Sequence, residues 1–474
     1  MSYTIQQVLI PSPSGYQQSG YAVVDVQIEG DRISAIAPQL EAQGTVIDGR
    51  NKLLLPGFVN AHTHSSELWQ RGLIPPLPLE LWLAHLYDFT PLEPEQIYLS
   101  ALGTAVETLL SGGTTVVDHL VLIPGRERET IAAAIRGYRE VGIRAYVAPL
   151  IQDEPFAMAL PKGDHKTPAL AASEAAPTTA EVLELMQDTI EQYHCPEEGI
   201  NIVVAPTGIQ LCSDALFAGC IELSDRHNLC RHAHLLESQA QQMLAQEKYG
   251  CSAVKHLAEI GYLGSRTSLA HCIWLTDADI ELMATTQTTV VHNPLSNLRL
   301  GSGIAPVLKY RQAGVNVTFG CDGSASNDSQ DLLEALKIGS ILHNVTDRDY
   351  RNWLTPRETI EMAALGGAKG LNAADQRGSL AVGQQADLVL YDLTSLSLLP
   401  RTDPIGLLVL GRPSQAVDRV WVNGNPIVTD GQITTLNTTQ LRQDLFNQSQ
   451  WVSNLSSPTM KEMEVRYREV MGLS

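Results

Sequence analysis

Phe58-Val59-Asn60-Ala61-His62-Thr63-His64 begins apolar, ends in two imidazoles, and is too short to read as a helix. Read as a strand, it puts His62 and His64 on one face, roughly 7 Å apart along the chain, because side chains alternate with a period of two. Seven further runs of similar length follow it: Thr114–Asp118, Arg144–Pro149, Asn201–Ala205, Arg231–Leu235, Ser268–His271, Thr288–His292 and Asn316–Cys321. Amphipathic stretches lie between them, among them Ser100–Leu110, Thr130–Glu140, Thr179–Tyr193, Ser238–Lys248, Ala278–Ala284 and Asp331–Leu342. Parallel strands need crossovers long enough for a helix, so eight such strands predict a closed (β/α)8 TIM barrel over residues 58–372.

Outward from this unit, both ends of the chain read as β. Tyr21–Ile28 alternates, Gly30-Asp31 is a turn signal and Arg32–Ile36 resumes the strand. The same texture returns in Ala386–Tyr391, Arg419–Val422 and the turn Asn423-Gly424. Residues 1–57 and 373–435 are therefore expected to form one small β-sandwich that closes around the barrel. Residues 436–474 read as a helical tail packed on the barrel. Residues 153–180, rich in Pro, Ala, Ser and Thr, interrupt the rhythm after the third strand and read as a surface excursion able to act as a lid.

Ligand-type side chains fall at the ends of five of these strands. The first ends in His62 and His64, the fifth carries His232 and His234 with Glu237 three residues on, the sixth ends in His271, the seventh in His292, and Asp322 follows the eighth. Taken singly, each has an ordinary explanation: a hydrogen-bonded core histidine, a helix-start carboxylate, a turn residue before Gly323. Those explanations do not account for all of them meeting at the C-terminal mouth of one barrel, where such barrels carry their chemistry. A metal site does. HExxH, Walker-type and PCxxC motifs are absent, which excludes the corresponding zinc, nucleotide and deaminase classes.

Composition narrows the partners. With 52 acidic against 32 basic residues the net charge is −20, which repels a phosphate backbone and favours a small soluble substrate over nucleic acid. Seven cysteines form no CxxC pair, as in a reducing cytoplasm. The N-terminus lacks a secretory pattern and no apolar run is long enough to span a membrane, so a cytoplasmic protein without membrane association is expected.

The motifs LLLPGFVNAHTH (53–64), SGGTTVVDH (111–119), HAHLLES (232–238), AHC (270–272), HNPLSNLRLGSGIAPV (292–307), GCDGSASNDSQDLLE (320–334) and GSLAVGQQADLVLYD (378–392) carry a family resemblance over nearly the whole chain. The sequence resembles the amidohydrolase superfamily, in the branch of S-adenosylhomocysteine/methylthioadenosine deaminases, guanine and 8-oxoguanine deaminases and triazine hydrolases. The resemblance implies one divalent metal ion, zinc or iron, on His62, His64, His234 and Asp322. It further implies that Glu237 shuttles protons and that His271 and Asp322 serve the reacting group. The implied reaction is hydrolytic deamination of a purine, purine nucleoside, pterin or related ring, often by a homodimer. A hydrolytic dehalogenase of a triazine-like ring is the alternative, and a non-catalytic metal-binding protein the third. Substrate contacts are expected from Trp69, Gln70 and Arg71 in the loop after His64, from Trp82, and from Gln210 after the fourth strand.

Overall fold

The computed structural model describes residues 2–12, 20–89, 92–162, 176–449 and 457–473. Its large unit is built on β1 (Phe58–Thr63), β2 (Gly113–Leu120), β3 (Arg144–Ile151), β4 (Ile200–Ile202 and Ala205–Pro206), β5 (Arg231–Leu235), β6 (Thr267–His271), β7 (Thr289–His292) and β8 (Val317–Phe319). β1 to β4 pair in parallel, as do β5 to β8, each strand with its successor.

Backbone hydrogen bonds join the two halves. At one seam Val204 N donates to Cys230 O (3.1 Å), His232 N to Val204 O (3.1 Å) and His234 N to Thr207 O (3.0 Å). At the other, Asp322 N donates to His62 O (2.9 Å). Side-chain amides complete this second seam: Asn60 Oδ1 accepts from Cys321 N at 2.9 Å, and Gln330 Nε2 donates to Asp322 O at 2.6 Å. The curled sheet closes into the expected barrel. One expected strand, Asn201–Ala205, is instead split. Val203 N donates back to β3 while Val204 N turns to the β5 side, and Pro206 has no N–H to continue a ladder.

Sequence-encoded caps set the crossover helices. Thr178, Ser213, Ser238, Thr276 and Asp331 each accept a hydrogen bond from a first-turn N–H of the helix they precede. The excursion expected over 153–180 is anchored at both ends, by a 3-10 turn at Phe156–Met158 and by the helix Thr179–Tyr193. Residues 163–175, on which its reading as a lid rests, lie outside the described residues.

Strands from both chain ends share one nine-stranded sheet, joined where Leu388–Asp392 runs antiparallel to Lys52–Pro56. Eight strands follow one hydrogen-bonding path, and Thr45–Asp48 branches from it by pairing in parallel with Ser2–Pro11. The sheet's curl brings Ile5, Val26 and Ile33 into one core with Leu388 and Trp421. The last described segment is helical: Thr438–Gln448 lies near the helix Pro94–Leu110, and Pro458–Val470 packs on Leu79–Tyr87. Among the described residues no helix is long and apolar enough to cross a membrane.

Candidate active site

At the C-terminal mouth of the barrel the period-two geometry of β1 and β5 brings three imidazoles together. Each has its Nδ1 engaged. His64 Nδ1 donates to His119 O at 2.6 Å, His234 Nδ1 donates to Thr207 O at 2.8 Å, and His62 Nδ1 meets His232 Nε2 at 2.8 Å. A neutral imidazole carries one N–H, so placing it on Nδ1 leaves the Nε2 lone pairs free. Those nitrogens face one another: His234 Nε2 and His64 Nε2 are 3.2 Å apart, and His62 Nε2 is buried with no hydrogen-bond partner. Asp322 Oδ1 lies 3.4 Å from both His62 Nε2 and His64 Nε2.

Lone pairs and a carboxylate oxygen converging this closely repel unless a cation sits between them. The residues fit one divalent ion of the kind that takes nitrogen and oxygen donors. The field agrees. Burial holds the His62 imidazole well below its usual range and lowers that of His234 to about 3, which leaves both rings neutral with a ring nitrogen lone pair available. At His64, burial is outweighed by the Glu67 and Asp322 carboxylates, which draw positive charge to that point. His119 also brings a ring nitrogen within 4.8 Å of His62 and His234.

The other face of Asp322 points at His271, with Glu237 beyond it. Its Oδ2 is 3.8 Å from His271 Nε2, which in turn is 3.4 Å from Glu237 Oε2. His271 Nδ1 donates to Asn297 Oδ1 at 2.9 Å, so its Nε2 faces both carboxylates. Burial lifts the Glu237 carboxyl well above its usual range, with Asp322 and Glu80 adding to the effect. Leu236, His271 and Asp322 all hold positive φ (47°, 71° and 65°), a left-handed conformation that costs on the order of 1–3 kcal/mol in a residue with a Cβ. The fold sustains this strain at the strand ends that aim Glu237, His271 and Asp322 at one another.

A cavity of about 60 Å³ opens over these groups. Of the residues expected to contact substrate, Trp82 and Gln210 line it; Trp69, Gln70 and Arg71 do not. The segment Ser65–Gln70 coils into a 3-10 helix, so its side chains fan out in three directions instead of all facing the mouth. Trp69 turns outward to give its indole N–H to Gln96 O (3.0 Å), and Arg71 makes a bidentate pair with Glu107 (2.7 and 3.0 Å). Gln70 is buried beside them.

The residue of this loop that does face the cavity is Glu67, which sequence reasoning missed. Its Oε2 accepts from Ala325 N at 3.2 Å, and it lies so close over Gly323 that a Cβ there would sit 1.7 Å from Oε2. Only that packing against the loop after β8 shows which way Glu67 points. Leu79, Leu83 and Leu86, on the helix Leu79–Tyr87, give the cavity an apolar wall. Asp118 stays beneath the site, accepting from Ser65 N, Ser65 Oγ and Tyr138 OH. His292 is buried beside His343, away from the cavity.

The chain resembles known proteins over most of its length. The chain is 31% identical over 435 residues to a 5'-deoxyadenosine deaminase of Methanothermobacter thermautotrophicus, covering 91% of this chain and 95% of the relative. Its structure is similar to that of a zinc-bound adenosine deaminase from Xanthomonas campestris, with TM-score 0.83, 26% identity, and 94% and 97% of the two chains covered. It is equally similar to atrazine chlorohydrolase from Arthrobacter aurescens TC1 in complex with zinc, at TM-score 0.83 and 26% identity, covering 94% and 99%. The model of the Amidohydrolase family matches residues 53–427, which span the barrel and the return to the small sheet. On this match and the curated relative's likeness over most of its length, the chain belongs to the amidohydrolase family.

Proposed function

We propose that the chain is a metal-dependent hydrolase that removes an amino group, as ammonia, from a nitrogen heterocycle such as a purine, purine nucleoside or pterin. His62, His64, His234 and Asp322 would hold one divalent ion, zinc or iron. The observation that carries this reading is the division of Asp322, with Oδ1 toward the histidine cluster and Oδ2 toward His271 and Glu237. A bound divalent ion lowers the pKa of water from about 15.7 to about 7 and so supplies hydroxide at neutral pH.

The chain's own residues would do the rest. Glu237, whose Oε1 has no protein partner, takes a proton from water and delivers it to the ring nitrogen beside the amino-bearing carbon. Protonation there removes the ring's aromatic resistance to addition. A second proton, released by the newly added hydroxyl group as the ring carbonyl forms, goes to the departing amine, and His271 Nε2, beside Glu237, stands where it can relay it. Trp82 and the leucines of its helix shield the ring from bulk water, while Gln210 and Glu67 offer polar atoms to its edge. The same site with a different leaving group would be a chlorohydrolase, a reading favoured by the similarity to atrazine chlorohydrolase. The seven cysteines, all free, suit a cytoplasmic enzyme.

The test is elemental analysis of the purified protein followed by assay of ammonia and chloride release over purines, nucleosides, pterins and chlorotriazines. One equivalent of metal and ammonia from one ring class is expected. Chloride release without ammonia would move the reading to the dehalogenase. Full turnover in a protein stripped of metal would overturn both.

A further inference from the structure

The HxH pattern of β5 presents two histidines, and the site described above uses only His234. We propose that His232 is a positioning residue that fixes His62 in the tautomer able to bind a cation, with Ser268 fixing His232 in turn. The inference rests on His62 being a metal ligand.

Its basis is a chain of three buried groups running through the floor of the site. His62 Nδ1 meets His232 Nε2 at 2.8 Å, and His232 Nδ1 meets Ser268 Oγ at 2.8 Å. His62 and His232 are completely buried and Ser268 nearly so, which leaves the three groups to satisfy one another. Tyr262 OH donates to the His232 carbonyl at 3.1 Å and holds that part of β5 in place.

Proton counting gives the chain a direction. For Nε2 of His62 to present a lone pair to an ion, its one N–H must lie on Nδ1 and be donated to His232 Nε2. His232 Nε2 must then be an acceptor, so its own N–H lies on Nδ1 and goes to Ser268 Oγ. With the opposite direction, Ser268 donates, His232 gives Nε2–H to His62, and the His62 proton moves to Nε2, where it blocks the ion.

The other two cluster histidines lack this ambiguity. His64 and His234 donate to the carbonyls of His119 and Thr207, and a carbonyl can only accept. His62 alone leans on a group that can either donate or accept. Its tautomer therefore depends on His232 and Ser268. Partners of this kind typically change metal affinity by about 10–100-fold when removed.

Three substitutions of His232 separate this role from packing. A glutamine amide reaches about where Nε2 stood and keeps an acceptor for His62. Asparagine reaches only where Nδ1 stood, and leucine offers nothing. Zinc affinity is measured by chelator competition on the full chain, together with the visible absorption of the cobalt(II)-substituted protein; circular dichroism reports folding.

His232→Asn and His232→Leu are expected to bind zinc about 10–100-fold more weakly with altered cobalt spectra, while His232→Gln stays within about threefold of the parent. Ser268→Ala should weaken zinc binding and Ser268→Thr, which keeps the hydroxyl, should not; this pair keeps the test open if the His232 variants misfold. Equal loss in all three His232 variants, or none in any, overturns the inference and leaves the metal site standing. A parent protein that binds no zinc overturns the metal-site reading, and this inference with it.

Discussion

Asp322 shows how much the site asks of one side chain. Oδ1 faces two imidazole nitrogens at 3.4 Å while Oδ2 looks toward His271, and the residue holds a left-handed backbone to do so. Asp322→Ala should therefore weaken metal binding and turnover together, read as zinc per chain and initial rate; a fully loaded, active variant would remove it from the site. Glu237 divides these effects differently. It sits beside His271, 3.4 Å from its Nε2, and burial, with the Asp322 and Glu80 carboxylates, raises its affinity for a proton. Glu237→Gln keeps the shape and loses the transferable proton, so zinc content should be unchanged while kcat falls by about 10²–10⁴-fold. Near-parent turnover would refute the shuttle role. Strand periodicity put His62 and His64 on one face, whereas Glu237 and Asp322 lie past their strand ends and their expected roles came from the family resemblance. The directions of Trp69, Gln70 and Arg71 were not legible, because the turn after His64 is a 3-10 helix, and the sequence does not reveal its rotation until the Gly323 loop packs against it.

Among the elements, the helix Leu79–Tyr87 connects the cavity with the end of the chain. One side lines the cavity through Leu79, Trp82, Leu83 and Leu86; helix Pro458–Val470 packs on it, with Ser457 Oγ and Thr459 Oγ1 donating to Asp88. Sequence reading expected a tail on the barrel, but its contact with the cavity wall is tertiary and has no periodic signature. The strands were easier to read, since short runs, most of them β-branched or apolar, alternate with long crossovers; β4 was split where Val203 and Val204 serve opposite neighbours. Within the helix, Glu80 is buried and accepts from Ser238 Oγ, next to Glu237 in sequence. Burial raises its carboxyl above the usual 4.5. Below that pH both folded and unfolded chains carry a neutral group and nothing is lost. Above it the unfolded chain releases the proton first, so stability declines with rising pH until the folded value is passed. Glu80→Gln keeps an acceptor for Ser238 and cannot ionise. Its melting temperature in chelator should match the parent below pH 4.5 and exceed it increasingly as pH rises above 4.5, until the folded value is passed; a difference that does not change with pH would show that Glu80 folds ionised.

On the scale of the whole molecule, the fold separates chemistry from cohesion. The site occupies the C-terminal ends of the strands, while Arg144 opens β3 at the opposite end and ties the barrel to the small sheet. Its Nε donates to Asp387 Oδ2 at 3.0 Å and one terminal nitrogen donates to Asn423 Oδ1 at 2.7 Å, both in the buried junction. Asp387 also accepts from Asn423 N at 2.6 Å, so the pair welds the strand Leu388–Asp392 and its neighbouring turn to the barrel floor. Breaking such a buried pair on one side leaves a desolvated charge and costs about 3–5 kcal/mol, whereas replacing both partners with apolar groups is close to neutral. Arg144→Ala should lower the unfolding free energy in denaturant by about that amount, and Arg144→Met with Asp387→Leu should recover most of it. Because the junction lies a barrel's length from the histidine cluster, zinc affinity and kcat of the folded single variant, measured well below its melting temperature, should equal the parent's. A loss of zinc affinity without loss of stability would mean that the small sheet acts on the mouth through the barrel, and that stability and chemistry in this chain are coupled.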